Sequence, residues 1–190
     1  MRLAFIDTET TGLDARKHEV IEIAMIIVEN GRTIHRFESK IKPVRIELAD
    51  ARALEINGYA KNPQAWDLAP TLKELGPDLA LMLEGCVLVG HNVSFDEEFL
   101  KQNLIREGVK AKIPYHKIDT VTLAFEHLRP LGLKRVALDS VRDFLGWSKV
   151  GAHTAMKDVE DTKKLFDLLW GMNPWKNLLL RWKVYRAGTK

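Results

Sequence analysis

Leu3-Ala4-Phe5-Ile6 is a short apolar run of the kind a buried strand presents, and Val20 to Glu29 (VIEIAMIIVE) is a longer one. Asn30-Gly31 follows at once. Both central residues of a type I′ turn need positive φ, so this pair predicts a hairpin, with Arg32 to Lys42 returning antiparallel to the second strand. Leu72, Leu75, Leu79 and Leu83, at steps of three and four, predict an amphipathic helix that Gly85 stops. Cys86 to Gly90 reads as another buried strand. Ser94 with Glu97 three residues later fits a capping box, opening a helix through Phe99, Leu100 and Ile105 to Gly108. Ile118-Asp119-Thr120 suggests a last short strand. Helices are expected near Thr120 to Leu128, Lys134 to Leu145 and Thr154 to Trp170. The order predicts an α/β domain whose mixed sheet joins an antiparallel hairpin to parallel strands.

Composition narrows this little further. The 190 residues are 46% hydrophobic and 29% charged, enough for one core without staples. Cys86 is the sole cysteine, which excludes an internal disulfide and a cysteine-based metal cluster and fits a reducing cytoplasm. The N-terminal apolar run meets Asp7 too early for a signal peptide, and no apolar stretch approaches the length of a membrane span. The net charge of +3 hides an asymmetry. From Leu168 onward there are five cations, Lys176, Arg181, Lys183, Arg186 and Lys190, and no acid, so the rest of the chain carries −2. A general nucleic-acid coat would need a broader basic field. Residues 171–190 therefore form a basic aromatic tail beyond a body of residues 1–170, expected to be helical and docked, with Leu178, Leu179, Leu180 and Trp182 apolar. Trp175, Trp182 and Tyr185 among the cations also leave base stacking or contact with a membrane surface open.

Three acidic stretches carry the candidate chemistry. The first strand ends Asp7-Thr8-Glu9-Thr10-Thr11-Gly12, and strand alternation puts Asp7 and Glu9 on one face at the carboxyl end, where open α/β sheets place ligands. Two like charges there call for a cation or a proton, although a solvated strand end would read the same way. Gly90-His91-Asn92 leads to Asp96 in the first turn of a helix, whose dipole favours a carboxylate. In His153-Thr154-Ala155-Met156-Lys157-Asp158, five helical residues would turn the chain by roughly 500°, so His153 must precede the helix. Asp158 heads the inward row Thr162, Leu165, Leu169 and so requires a cationic partner. Asp161 reads as an exposed helix acid. His18, His35, His116 and His127 read as surface histidines, and Asp14, Asp50 and Asp119 as acids without a role.

These stretches, in order, resemble the three motifs of the DEDD superfamily of 3′-to-5′ exonucleases, in its His-containing, DnaQ-like subgroup, and are most similar to the proofreading epsilon subunits of bacterial DNA polymerase III. The likeness runs from Leu3 to about Leu169. It implies a ribonuclease H-like fold and an exonuclease releasing nucleoside monophosphates from DNA 3′ ends. It implies Asp7, Glu9, Asp96 and Asp158 as ligands of two divalent cations, Mg²⁺ or Mn²⁺, and His153 as the base that takes the proton of the attacking water. All-oxygen ligation agrees with those ions. By the same resemblance Thr8, Thr10, Thr11, Gly12 and Leu13 cradle the last nucleotide on one side, and His91, Asn92 and Phe95 line the other. The partners it implies are a single-stranded 3′ end of DNA or RNA and a polymerase subunit. An exoribonuclease remains open, because acids that act on phosphate do not read the sugar. So does a binding subunit without catalysis.

Overall fold

The computed structural model describes residues 1–188; Lys190, counted above among the tail's cations, lies outside the described residues. Three strands form an antiparallel meander: β1 (Arg2–Thr10), β2 (Val20–Glu29) and β3 (Arg32–Lys40). Asn30 and Gly31 take φ of 51° and 78° at the hairpin, the left-handed conformations this turn demands. α1 (Ala51–Ile56), set among short 3₁₀ turns, and α2 (Leu72–Leu83) carry the chain across to β4 (Cys86–Gly90). α3 (Val93–Arg106) leads to β5 (Lys117–Asp119). α4 (Thr120–Leu128), α5 (Leu138–Leu145), α6 (Ala155–Leu169) and α7 (Pro174–Gly188) follow. β4 lies parallel to β1, and β5 parallel to β4, giving the strand order β3-β2-β1-β4-β5. Among the described residues no helix is long and apolar enough to cross a membrane.

The side-chain alternation of β1 divides the core and places the acids. Ala4 and Ile6 face α2 and α3, joining Ile23, Met25, Leu79, Leu83, Phe99 and Leu100. Leu3 and Phe5 face the other way, against Ala155, Val159 and Phe166 of α6, with the Phe5 and Phe166 rings edge to face at 5.3 Å. Asp7 and Glu9 continue this second row and emerge towards α6; Thr8 continues the first and emerges towards α3. A third cluster, Ala124, Leu128, Val141, Leu165, Leu169 and Leu180, binds α4 to α7 together.

Two elements differ from the expected ones. Ser94 does not cap α3: the helix starts at Val93, after Asn92 in a left-handed conformation (φ 72°), and Glu97 pairs with Lys117 instead. α5 starts at Leu138 rather than Lys134, because the Val136 carbonyl leaves the helical ladder to accept a hydrogen bond from His91 Nε2 at 2.6 Å.

Candidate active site

Asp7 and Glu9 stand on β1 opposite Ala24 and Glu22 of β2, so the antiparallel pairing fixes where each carboxylate leaves the sheet. Across from them the start of α6 is fastened to the sheet. The Glu22 carboxylate accepts the Ala155 N–H at 3.0 Å and pairs with Lys40 at 3.0 Å. That anchor brings Asp158 over the strand end. Carboxylate oxygens of Asp7, Glu9 and Asp158 all lie within 4.8 Å of one another.

Asp96 approaches from the opposite face. It is buried in the first turn of α3, and its Oδ1 accepts both the Thr8 N–H at 2.9 Å and the Thr8 hydroxyl at 2.8 Å. It stands beside the triad, close enough for its charge to raise the pKa of both Asp7 and Glu9, while Thr8 holds one of its oxygens.

The electrostatics of this arrangement are those of a site short of positive charge. Burial, then the charges of Asp158, Glu22 and Asp96, pushes Glu9 up to about 9. Burial and the charges of Asp96, Asp158 and Glu9 hold Asp7 well above the carboxylate range, with Arg142 opposing. Burial raises Asp96 to about 7 against the two hydrogen bonds from Thr8. Asp158 is also raised by burial, less the influence of Arg142 and His153. Crowded carboxylates driven towards protonation, with oxygens facing one another, are the donor set for a hard divalent cation.

Arg142, which the sequence reading missed, organises the floor of the site. The side chain is wholly buried. Its Nη2 donates to Asp158 Oδ1 at 2.7 Å, Nε to Asp161 Oδ2 at 2.7 Å and Nη1 to Asp139 Oδ1 at 2.8 Å. This is the cation that Asp158, with its side chain 13% exposed, needed. Asp161 is not an exposed acid: it is buried between Arg142 and Lys157, whose Nζ lies 2.6 Å away. The available signal was Arg142 itself, on the apolar row Leu138, Val141, Leu145 of a short helix, three residues after Asp139.

His153 precedes α6 in a left-handed conformation (φ 64°), exposed, with its N–H donating to Asp158 Oδ1 at 3.2 Å. Its ring does not join the three acids. Nε2 lies 3.4 Å from Asp139 Oδ2.

The proposed nucleotide cradle divides in two. Thr8, Thr10 and Thr11 are buried and spend their hydroxyls inside the protein: Thr10 donates to the Gly12 carbonyl at 2.7 Å, and Thr11 Oγ1 accepts the Glu19 N–H at 2.9 Å. His91 also turns inward, with Nδ1 2.9 Å from Thr120 Oγ1 and Nε2 on Val136, so its nitrogens are committed to the scaffold. Asp119, set aside as an acid without a role, caps α4 and accepts the Asn92 N–H at 3.0 Å. Leu13 is 85% exposed. Together with Asn92, Phe95 and Phe99 it lines a groove of about 540 Å³ beside the first turn of α3. His18 is buried rather than superficial: its Nδ1 accepts the Asp14 N–H at 3.0 Å, and its ring lies under Gly12.

A family model described as Exonuclease matches residues 4–166 of the chain. The chain is 32% identical over 162 residues to a PolC-type DNA polymerase III of Thermotoga petrophila, covering 85% of this chain and 11% of that protein. It is 31% identical over 160 residues to the DNA polymerase III subunit epsilon of Treponema pallidum, covering 84% of this chain and 72% of that one. Its fold is that of E. coli exonuclease I, solved bound to single-stranded DNA: TM-score 0.76 at 22% identity, over 94% of this chain and 42% of the other. The chain thus spans about a tenth of the PolC-type polymerases it matches and less than half of exonuclease I.

Proposed function

The chain belongs to the exonuclease family, and from that premise we propose that it is a metal-dependent 3′-to-5′ exonuclease that releases nucleoside monophosphates from DNA ends. The observation that carries this reading is the convergence of Asp7, Glu9 and Asp158 within 4.8 Å, where burial and neighbouring charges raise all three carboxylates even though Arg142 holds Asp158. Relatives named as DNA polymerase III components support DNA as the substrate and a polymerase as a partner.

Asp7, Glu9 and Asp158, with the second oxygen of Asp96, would hold two divalent cations, Mg²⁺ or Mn²⁺. When bound, such cations draw in the anionic phosphodiester and stabilise the attacking and leaving oxygens of an in-line displacement. The remaining work falls to the protein. The groove between Leu13 and Phe95 receives the terminal base, and Asn92 stands at its edge. Arg142 holds Asp158 in one rotamer, so the carboxylate costs no reorganisation when substrate arrives. His153 accepts the proton of the attacking water. An imidazole nitrogen can accept and pass on a proton, and its exposed place outside α6 leaves the ring free to leave Asp139.

The test offers end-labelled single-stranded DNA, duplex DNA and RNA in the presence of Mn²⁺. A ladder of products shortened from the 3′ end of DNA is expected, absent in Asp7→Ala. His153→Ala should slow the reaction by roughly 10²- to 10⁴-fold, the range for loss of a general base, while Mn²⁺ still binds. RNA degraded in preference to DNA would move the assignment to an exoribonuclease, and a wild-type protein that cuts neither would remove it.

A further inference from the structure

α7 departs from the pattern of a helix lying on a domain, which carries one apolar stripe. It has two. Leu180 is buried with Leu165 and Leu169, and Val184 packs at the edge of the same cluster, so these two mark the inward face. Trp175, Leu178, Trp182 and Tyr185 recur at steps of three, four and three and draw a second stripe, the spacing of a helix-pairing seam. All four are more than half exposed, from 55% at Trp182 to 78% at Trp175. A contiguous run of large apolar groups in water is an interaction surface.

The stripe continues into a groove of about 800 Å³ between α7 and the distal ends of α5 and α6, walled by Trp147, Leu168, Leu179 and Trp182. Lys164, Lys176 and Lys183 stand around it. Asp167 lies on the same wall, with its carboxylate held by Lys163 at 2.6 Å. From Leu168 to the end of the sequence there is no acid. A suitable occupant therefore presents apolar side chains flanked by carboxylates.

That charge balance decides among occupants. A second copy would set one cationic flank against another, which costs association energy. A nucleic-acid strand would need open aromatic faces. Within the groove Lys164 Nζ already lies 4.0 Å from the Trp147 ring centre and the Arg186 guanidinium 4.6 Å from that of Trp182; Leu178 and Leu179 offer nothing to stack on, and the exposed rings of Trp175 and Tyr185 stand outside the groove. We propose that this face of α7 docks an acidic amphipathic helix of a partner protein, its apolar side chains entering the groove and its carboxylates meeting Lys176 and Lys183. None of these residues belongs to the carboxylate site at the end of β1, so the proposal does not depend on the nuclease reading.

The test is fluorescence anisotropy with three labelled probes on the full chain: a designed helical peptide with Leu at heptad a and d and Glu at e and g, the same peptide with Lys for Glu, and an oligothymidylate. The Glu peptide should bind, more weakly as salt rises. Its affinity should drop at least about tenfold in Leu178→Ala and in Trp182→Ala, the loss expected of an anchor, with the melting temperature unchanged. Lys176→Glu with Lys183→Glu should transfer the preference to the Lys peptide, a swap that misfolding would not produce. Failure of the Glu peptide to bind would overturn the proposal, as would equal binding of both peptides. So would oligothymidylate binding that needs Trp182, or a dimer in sedimentation that Trp182→Ala dissolves.

Discussion

Three carboxylates share a single buried guanidinium at Arg142, and that makes its loss costly to the fold. Asp139 and Asp161 lie on either side of Asp158 in its grip, and Lys157 adds a second cation at Asp161 alone. Removing one partner of a buried ion pair strands the other charge, at a cost of about 3 to 5 kcal/mol. Arg142→Met should therefore lower the unfolding free energy obtained from urea titration by an amount in that range, shift the midpoint down with it, and weaken Mn²⁺ binding in the same protein. Arg142→Lys keeps the charge but reaches fewer of the carboxylates, so it should fall between; a midpoint equal to wild type in Arg142→Met would show that the network is not load sharing. The sequence revealed half of this network. The row from Asp158 through Leu169 demanded a cation for Asp158, because apolar neighbours at three- and four-residue spacing imply burial. It did not reveal that Asp161 is buried too. The arc of α6 facing the sheet and α5 is wider than one row, and only the position of α5, set by long-range packing, decides which acids it covers. His18 was misread for a similar reason: the turn that folds its ring under Gly12 is built by bonds to Asp14 and Glu19 rather than by any periodic pattern.

At the scale of elements, the strand and helix periods were legible because each apolar row meets a neighbour directly, as Leu3 and Phe5 meet α6. Starts of helices were less so. Ser94 and Glu97 have the letters of a capping box, but the left-handed Asn92 opens α3 two residues earlier, and its N–H is taken by Asp119 from the next parallel strand. No local rule reaches across that distance. The turn after β1 combines both situations. A Cβ on Gly12 would lie 2.5 Å from the His18 ring, which is buried and bonded to Asp14, so the position accepts only glycine without displacement. Overpacking of this kind costs roughly 1 to 3 kcal/mol. Gly12→Ala should lower the melting temperature and, because the displaced turn carries Leu13, raise KM for a single-stranded oligonucleotide more than it lowers kcat. A variant with unchanged KM would remove Leu13 and its turn from the substrate groove.

For the whole molecule, the site is where two sheet halves and two helical layers meet: the carboxyl end of β1 faces α6 on one side and α3 on the other, at the strand where antiparallel pairing gives way to parallel. Convergence there brings four acids together, and folding without cations must oppose their repulsion. Glu9 is raised from an ordinary value of 4.5 to about 9 and Asp96 from 3.8 to about 7, so the folded chain binds more protons than the unfolded chain between those limits. Stability then falls as pH rises through that window, since the unfolding free energy decreases with pH wherever the native state holds the extra protons. Cations that replace the protons reverse the effect, and they compete with fewer protons at higher pH. Metal-free protein should thus lose melting temperature steadily from pH 5 to about 9, and Mn²⁺ should raise it more at the alkaline end than at the acid end. Glu9→Gln should flatten the metal-free profile by removing the more strongly shifted of these two carboxylates. Differential scanning calorimetry with and without chelator reads both effects. A metal-free melting temperature that climbs across the window would mean that the acids at the end of β1 are already neutralised by the protein, and the case for cation binding there would lose its physical basis.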